Sequence, residues 1–242
     1  LAGYFTATTT TATSTFAGGL AVETSGLVYD YSTNNVGIGT SSPRSILEVA
    51  GGGFFAGNLG LDKFSKYQMD GQNFIQATST TFNTLIGLNA APNIISTSTS
   101  NTSALYNIAL GQEALYTTTA SDYNTAIGYQ ALYSNTTGYQ NVAIGYKTLD
   151  VNTTGFYNFA IGADALGANT EGYTNFALGP GTLSANTTGN NNIGMGSLNL
   201  YANTTGNQNV AVGSLVFYFT QTGSDNVGLG YGAGFGASGG SF

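Results

Sequence analysis

Larger and small side chains alternate in a five-residue motif that recurs through the second half of this chain at a strict interval of 17 residues. Each copy reads Asn, a larger residue, Ala or Gly, a bulky apolar residue, and Gly. A constant interval is typical of coiled repeat proteins, in which successive turns stack in register. The eight copies begin at Asn107, Asn124, Asn141, Asn158, Asn175, Asn192, Asn209 and Asn226 and end at Gly111, Gly128, Gly145, Gly162, Gly179, Gly196, Gly213 and Gly230.

With the Asn as position 1, the alternation at positions 2 to 4 predicts a short β-strand, because neighbouring side chains of a strand point to opposite faces. Positions 12 to 15 read Asn-Thr-Thr-Gly in several copies, as at 135–138. That is turn chemistry: the Asn can bond its own backbone, and the Gly accepts positive φ. We therefore predict an all-β fold, a parallel β-solenoid (β-roll) of 17-residue coils. Strands about 4.8 Å apart would make a rod on the order of 40 Å long.

The two faces of this strand have different partners. We expect the small residues at positions 3 and 5 to fill a flattened interior and positions 2 and 4 to form an apolar stripe outside, which needs a partner surface. Three chains that bury their stripes on one axis would supply it. The alternative is a monomeric roll filled by the bulky residues, with Ala facing water. The residues predicted to pack between chains are Ile127, Val142, Ile144, Phe159, Ile161, Phe176 and Leu178.

Outside the strict repeat the chain is less regular. Its Thr- and Ser-rich first part contains a hairpin signal at Asp70-Gly71 and partial motifs at 35–39 and 83–87. The long Thr and Ser runs fit both linkers and the extended strands of an intertwined fibre. We predict a β-rich module or neck over residues 1–100, the solenoid over 101–230 and a Gly-rich terminal segment over 231–242.

Charge and composition exclude several functions. Four basic residues against eleven acidic ones give a net charge of −7, which argues against nucleic acid and against polybasic membrane attachment. The apolar runs are too short for direct membrane insertion. Without His or Cys, catalysis by either residue is excluded and zinc loses its commonest ligands. The low charge and the abundant Thr, Ser, Asn and Gly suit an extracellular protein, and we interpret the chain as a piece of a longer one.

Other candidate chemistry is weaker. No position carries acids in adjacent coils: Glu113 and Asp164 share position 7 but lie three coils apart. We therefore predict no enzyme activity, no metal and no cofactor, although a carboxylate pair within residues 1–100 stays open. The Thr columns at positions 13 and 14 suggest ice binding only weakly, because adjacent extended residues point in opposite directions. The Gly-rich stretch after Gly230 lacks the helix that a nucleotide-binding loop requires.

Aromatic residues form two further columns. Tyr129 and Tyr146 share position 6, while Tyr139, Phe156 and Tyr173 share position 16 in successive coils. Exposed aromatic columns can stack on sugar rings or hold a protein partner. They can equally cover one another or pack against a neighbouring chain, and the sequence leaves both interpretations open. These five residues are the candidate surface-binding set.

The motif Asn141-Val-Ala-Ile-Gly145, with its Gly-containing turn, resembles the head repeat of trimeric autotransporter adhesins. The stretch from Asn35 to Val49 is similar to a segment of phage tail fibres and large bacterial surface proteins. The resemblance implies a β-roll of three chains that attaches to a surface. We therefore expect a non-enzymatic extracellular fibre segment, on a cell surface or a virion, whose partners are itself and a glycan or protein receptor. The alternative is a self-assembling structural filament; ice binding and a glycan-active fibre domain are minor alternatives.

Overall fold

The computed structural model describes residues 82–94 and 104–236 together with six strands and two single residues nearer the N-terminus. Contacts divide the chain into two units, Leu1–Gly60 and Leu61–Phe242, which are treated separately below. The first unit contains a four-stranded sheet in the order β1-β2-β3-β4. Its β1–β2 and β2–β3 pairs are antiparallel and its β3–β4 pair is parallel. The strands are β1 (Ala21–Val22), β2 (Leu27–Asp30), β3 (Asn35–Ile38) and β4 (Leu47–Val49).

The second unit begins its sheet with an antiparallel hairpin. Strand β5 (Lys66–Met69) pairs with β6 (Gln72–Ala77), and Met69 lies opposite Gln72. A two-residue connection therefore joins the strands, which confirms the hairpin predicted at Asp70-Gly71. Strand β6 then pairs antiparallel with β7 (Thr84–Ile86), the first strand of the parallel ladder.

From β7 onward the strands are parallel and three residues long. Between β8 and β15 every residue pairs with the residue 17 positions further on, as Ala143 does with Ala160. The β7–β8 step is longer, since Thr84 pairs with Ile108, so the parallel ladder starts before residue 101. The parallel β-solenoid with 17-residue coils is confirmed. The remaining strands are β8 (Ile108–Leu110), β9 (Thr125–Ile127), β10 (Val142–Ile144), β11 (Phe159–Ile161), β12 (Phe176–Leu178), β13 (Ile193–Met195), β14 (Val210–Val212) and β15 (Val227–Leu229).

The interior of the coils is narrow but not limited to small residues. Ala at position 3 is fully buried, as at Ala143 and Ala160, while positions 2 and 4 are partly or fully exposed. The predicted direction of the strand faces is therefore confirmed at positions 2 to 4. Two parts of that prediction were wrong: Gly at position 5 is only partly buried, and the prediction omitted the largest core side chains. These are the fully buried leucines of position 9, Leu115, Leu132, Leu149, Leu166, Leu183 and Leu200.

Left-handed backbone recurs at positions 7, 9 and 17, where most residues are not glycine. Leu149 has a φ of 52°, a conformation that costs about 1–2 kcal/mol in an L-residue. It is held by the Leu149 N–H, which donates to the Ala165 carbonyl at 3.1 Å, and by the carbonyl of Leu149, which accepts from the Asn152 N–H at 3.2 Å. Burial of the side chain and these bonds together stabilise a turn that each coil repeats.

The prediction that the Gly of Asn-Thr-Thr-Gly supplies a positive φ was wrong. Gly138 has no left-handed φ; instead, a Cβ there would lie 2.8 Å from Asn152 Nδ2 and against the Gly155 carbonyl. Position 15 is therefore glycine because the next coil leaves no room for a side chain. Positive φ is needed at position 5, where Gly145 has a φ of 141°.

Two buried columns of Asn link the coils. At position 1, the Asn141 N–H donates to Asn124 Oδ1 at 3.0 Å, and Asn141 Nδ2 donates to the Gly155 carbonyl at 2.8 Å. At position 12, Asn152 Nδ2 donates to Asn135 Oδ1 at 2.8 Å and to the same Gly155 carbonyl at 3.0 Å. The predicted amide ladders are confirmed, and they lie inside the solenoid, where they satisfy polar groups that water does not reach.

The position 12 ladder ends at Asn203, whose buried Oδ1 accepts no hydrogen bond. The next residue in that column is Thr220. We expect Thr220→Asn to extend the ladder and raise the free energy of unfolding by about 1 kcal/mol, because a buried acceptor gains a donor. Urea titration followed by circular dichroism measures the change. Thr222→Asn, two residues away and exposed, is the matched control, and a Thr220→Asn variant no more stable than this control would contradict the prediction.

Candidate functional site

The stripe predicted to pack between chains lies along one side of strands β9–β12. All seven of its residues are partly exposed, because the inward positions of these strands are taken by Ala. The parallel register places each side chain beside its equivalent in the next coil, and the Phe159 and Phe176 rings stack with centroids 4.9 Å apart. Positions 2 and 4 carry no charged residue from β8 to β15. The stripe is therefore a continuous uncharged surface.

The candidate surface-binding residues form two ring ladders. Phe156 lies between Tyr139 and Tyr173, with centroids 5.0 and 4.9 Å apart and nearly parallel planes. Tyr129 and Tyr146 stack at 5.5 Å. The rings thus cover one another, as one of the two interpretations expected, while all four tyrosines keep an exposed fraction of 37% or more. That exposed part is what a partner could contact.

A third ring ladder, at position 10, was missed. Tyr116 and Tyr133 stack at 5.0 Å, and Tyr201 and Tyr218 stack at 4.9 Å. The 17-residue interval alone would have shown it, but three coils interrupt the column. In those coils position 10 is Asp150, Gly167 and Ser184.

The interruption forms a shallow recess of about 880 Å³ in the side of the solenoid. Lys147, Asp150 and Asp164 lie on its lining together with Ser184, Leu198 and Tyr201. Comparing acids along single columns could not find this group, because Asp150 and Asp164 come together from positions 10 and 7 of adjacent coils. The recess brings two carboxylates, an ammonium group, a hydroxyl and an aromatic ring to one surface.

No protein family model, curated protein or solved structure matches this chain. Its functional surfaces are therefore assessed by their own chemistry. Among the residues that the structure describes, no three His, Cys, Asp or Glu side chains come together as metal ligands. A search of the same residues for a helix long and apolar enough to cross a membrane found none.

The Thr columns are bonded to the backbone of the next coil. The hydroxyl of Thr136 donates to the Thr153 carbonyl at 3.0 Å, and that of Thr153 donates to the Thr170 carbonyl at 3.0 Å. Position 14, by contrast, is exposed at Thr137 and Thr154. The two columns therefore differ in hydrogen bonding and exposure, which does not favour one flat hydroxyl face.

Partial burial raises the pKa of the Asp150 carboxyl above its ordinary value of 3.8; Lys147 opposes the shift and Asp164 adds to it. A raised folded-state pKa means that the native state loses stability as pH rises from 3.8 through that value. We therefore expect Asp150→Asn to melt above wild type at pH 7, with a gap that narrows below pH 3.8. Thermal melts at pH 7 and at about pH 3.5 test this, with Glu171→Gln as the control for losing one acid. A gap that is equal at both pH values would contradict it.

Proposed function

We propose that this chain is a segment of an extracellular fibre that serves attachment at a bacterial or viral surface and has no enzymatic role. The observation that carries the proposal is the uncharged stripe on β8–β15. Its eight strands span roughly 34 Å at the usual spacing of parallel strands. An apolar surface of this length on a rigid sheet favours a permanent partner over exposure to water.

The partner that fits the stripe is a second and third copy of the same chain. The stripe repeats with the coil, so identical chains placed side by side can match it coil for coil. Rings at the flanking positions widen it, since Tyr157 at position 17 and Tyr146 at position 6 are about half exposed, at 50% and 52%. The resemblance to adhesin heads supports three chains around one axis.

Attachment would then use many weak contacts. The ring ladders repeat their exposed edges in successive coils and, in a trimer, on each chain. Linked sites convert later contacts into intramolecular ones, so that total avidity exceeds the affinity of any one contact. The proposed receptor is a glycan or protein on the surface that the fibre reaches.

Light scattering with particle images of the same sample tests the assembly. We expect a mass three times the 24.7 kDa of the chain and short rods. The double variant Ile144→Lys/Ile161→Lys charges the stripe and should give monomers, because buried unpaired charges would face one another across the trimer. The matched control, Thr137→Lys/Thr154→Lys, adds the same charges at exposed turn positions and should stay trimeric. A monomeric wild type would overturn the trimer.

The second candidate is a structural filament. It is favoured by β15, the last strand of its sheet, where Val227 and Leu229 are each 69% exposed. An open parallel edge is a template for pairing with another chain. Polymers in place of trimers in the scattering experiment would support this function instead.

A further inference from the structure

The gap in the position 10 ladder leaves one ring face uncovered. Tyr218 stacks on one face of Tyr201 with centroids 4.9 Å apart. On the other side, the preceding coil offers Ser184 in the same column, and the two coils before it offer Gly167 and Asp150. Tyr133, the next ring of the column, lies four coils away, roughly 19 Å at the spacing of parallel strands.

The floor and ends of the gap are polar. Gly167 places no side chain beside Asp150, whose Oδ1 lies 3.8 Å from where a Cβ would be. Asp150 and Asp164 supply carboxylate acceptors, Lys147 supplies an ammonium donor, and Ser184 and Ser197 supply hydroxyls. Acceptors and donors therefore alternate with the Tyr201 ring within the one recess of 880 Å³.

This combination restricts the ligand class. Two carboxylates against one ammonium give the recess a net negative charge, and the chain carries −7, so an anionic ligand would be repelled. A calcium ion takes about 6–8 oxygen ligands, more than two carboxylates provide. A ligand with many hydroxyls and one apolar ring face satisfies both the polar groups and the open tyrosine face.

We infer that this recess binds a neutral oligosaccharide, one sugar ring of which stacks on the free face of Tyr201 and continues the interrupted ladder. Its hydroxyls donate to the carboxylates of Asp150 and Asp164 and accept from Lys147. The inference gives a ligand class to the proposed attachment function, and it rests on that function only for its biological purpose. A single chain contains the whole recess, so binding does not require the trimer.

Binding to immobilised glycans tests the inference. The probes are neutral hexasaccharides of glucose, mannose, xylose and N-acetylglucosamine, with heparin and hyaluronan fragments as anionic probes and a glucosamine hexamer as the cationic one. Titration calorimetry then measures the strongest neutral ligand. Two variants alter the recess: Tyr201→Ala removes the stacking ring, and Ser184→Tyr fills the gap with the residue that the same position carries at Tyr133. Tyr116→Ala, a ring of the same column outside the recess, is the matched control.

We expect at least one neutral probe to bind wild type and the control equally and to lose tenfold or more affinity in both recess variants. Far-ultraviolet circular dichroism shows that each variant is folded, and Tyr201→Ala decides the test if Ser184→Tyr is not. Retention of anionic or cationic probes alone, no neutral binding, or binding unaffected by Tyr201→Ala would overturn the inference. Scattering on the same samples separates the two proposals, since a trimer that binds no glycan contradicts only the inference.

Discussion

Gly145→Ala is expected to lower the free energy of unfolding by about 3–5 kcal/mol, one of the largest effects of any single methyl group in this chain. Gly145 has a φ of 141°, which L-residues rarely adopt, and its Cβ would lie 2.7 Å from the Gly162 carbonyl oxygen of the next coil. The added carbon meets backbone that neighbouring coils hold in place, so neither strand β10 nor β11 can yield without loss of pairing. Urea titration followed by circular dichroism measures the loss.

Gly167→Ala is the matched control for this substitution. Gly167 lies one coil further on, has no left-handed φ, and a Cβ there would meet its nearest atom, the Asp164 carbonyl oxygen, at 3.3 Å. We expect a change within about 1 kcal/mol. If the two variants unfolded at the same urea concentration, the close approach of successive coils at position 5 would be wrong.

Asn158→Ala is expected to cost about 3 kcal/mol, because it leaves buried polar groups without partners. Asn158 Oδ1 accepts from the N–H of Asn175 at 3.0 Å, and its Nδ2 donates to the Gly172 carbonyl at 2.8 Å. Asn158 and Asn175 are each 1% exposed, so water does not replace the lost bonds. The free energy of unfolding from urea titration is again the measurement.

Asn190→Ala separates burial from hydrogen bonding. Asn190 Oδ1 accepts from the Tyr173 N–H at 2.8 Å across the same 17-residue step, but at the surface. Water can take over that bond, and the expected cost is below about 1 kcal/mol. Equal costs for the two substitutions would show that the position 1 ladder stabilises the solenoid no more than a surface bond does.

The sequence predicted the parts of the fold that repeat. The alternation around Ala143 placed the strands and their faces, and the recurrence of Asn141 and Asn152 predicted the two amide ladders, because stacking brings equal columns together. It failed where conformation is not encoded by residue type. Leu149 adopts a left-handed turn that glycine usually occupies, and Gly138 is required by packing against the next coil, which no local pattern reveals.

The candidate surfaces were predicted less completely for a related reason. Residues such as Tyr139 and Phe156 were found because they share a column in consecutive coils. The recess depends on a column that changes residue type, and on Asp150 and Asp164 meeting from different positions of neighbouring coils. Only the path of the chain around each coil shows which positions are neighbours.

The 17-residue register also determines how this molecule can change in length. Nearly all inter-coil bonds run between equivalent positions of adjacent coils, so removing or duplicating one unit of 17 residues restores the same column alignment on both sides of the join. Each such event shortens or lengthens the rod by about 4.8 Å and leaves its cross-section unchanged. A deletion of any other size within the strict repeat moves Asn, Ala and Leu out of their columns. Reach is therefore a property that recombination between units can adjust without redesigning the fold.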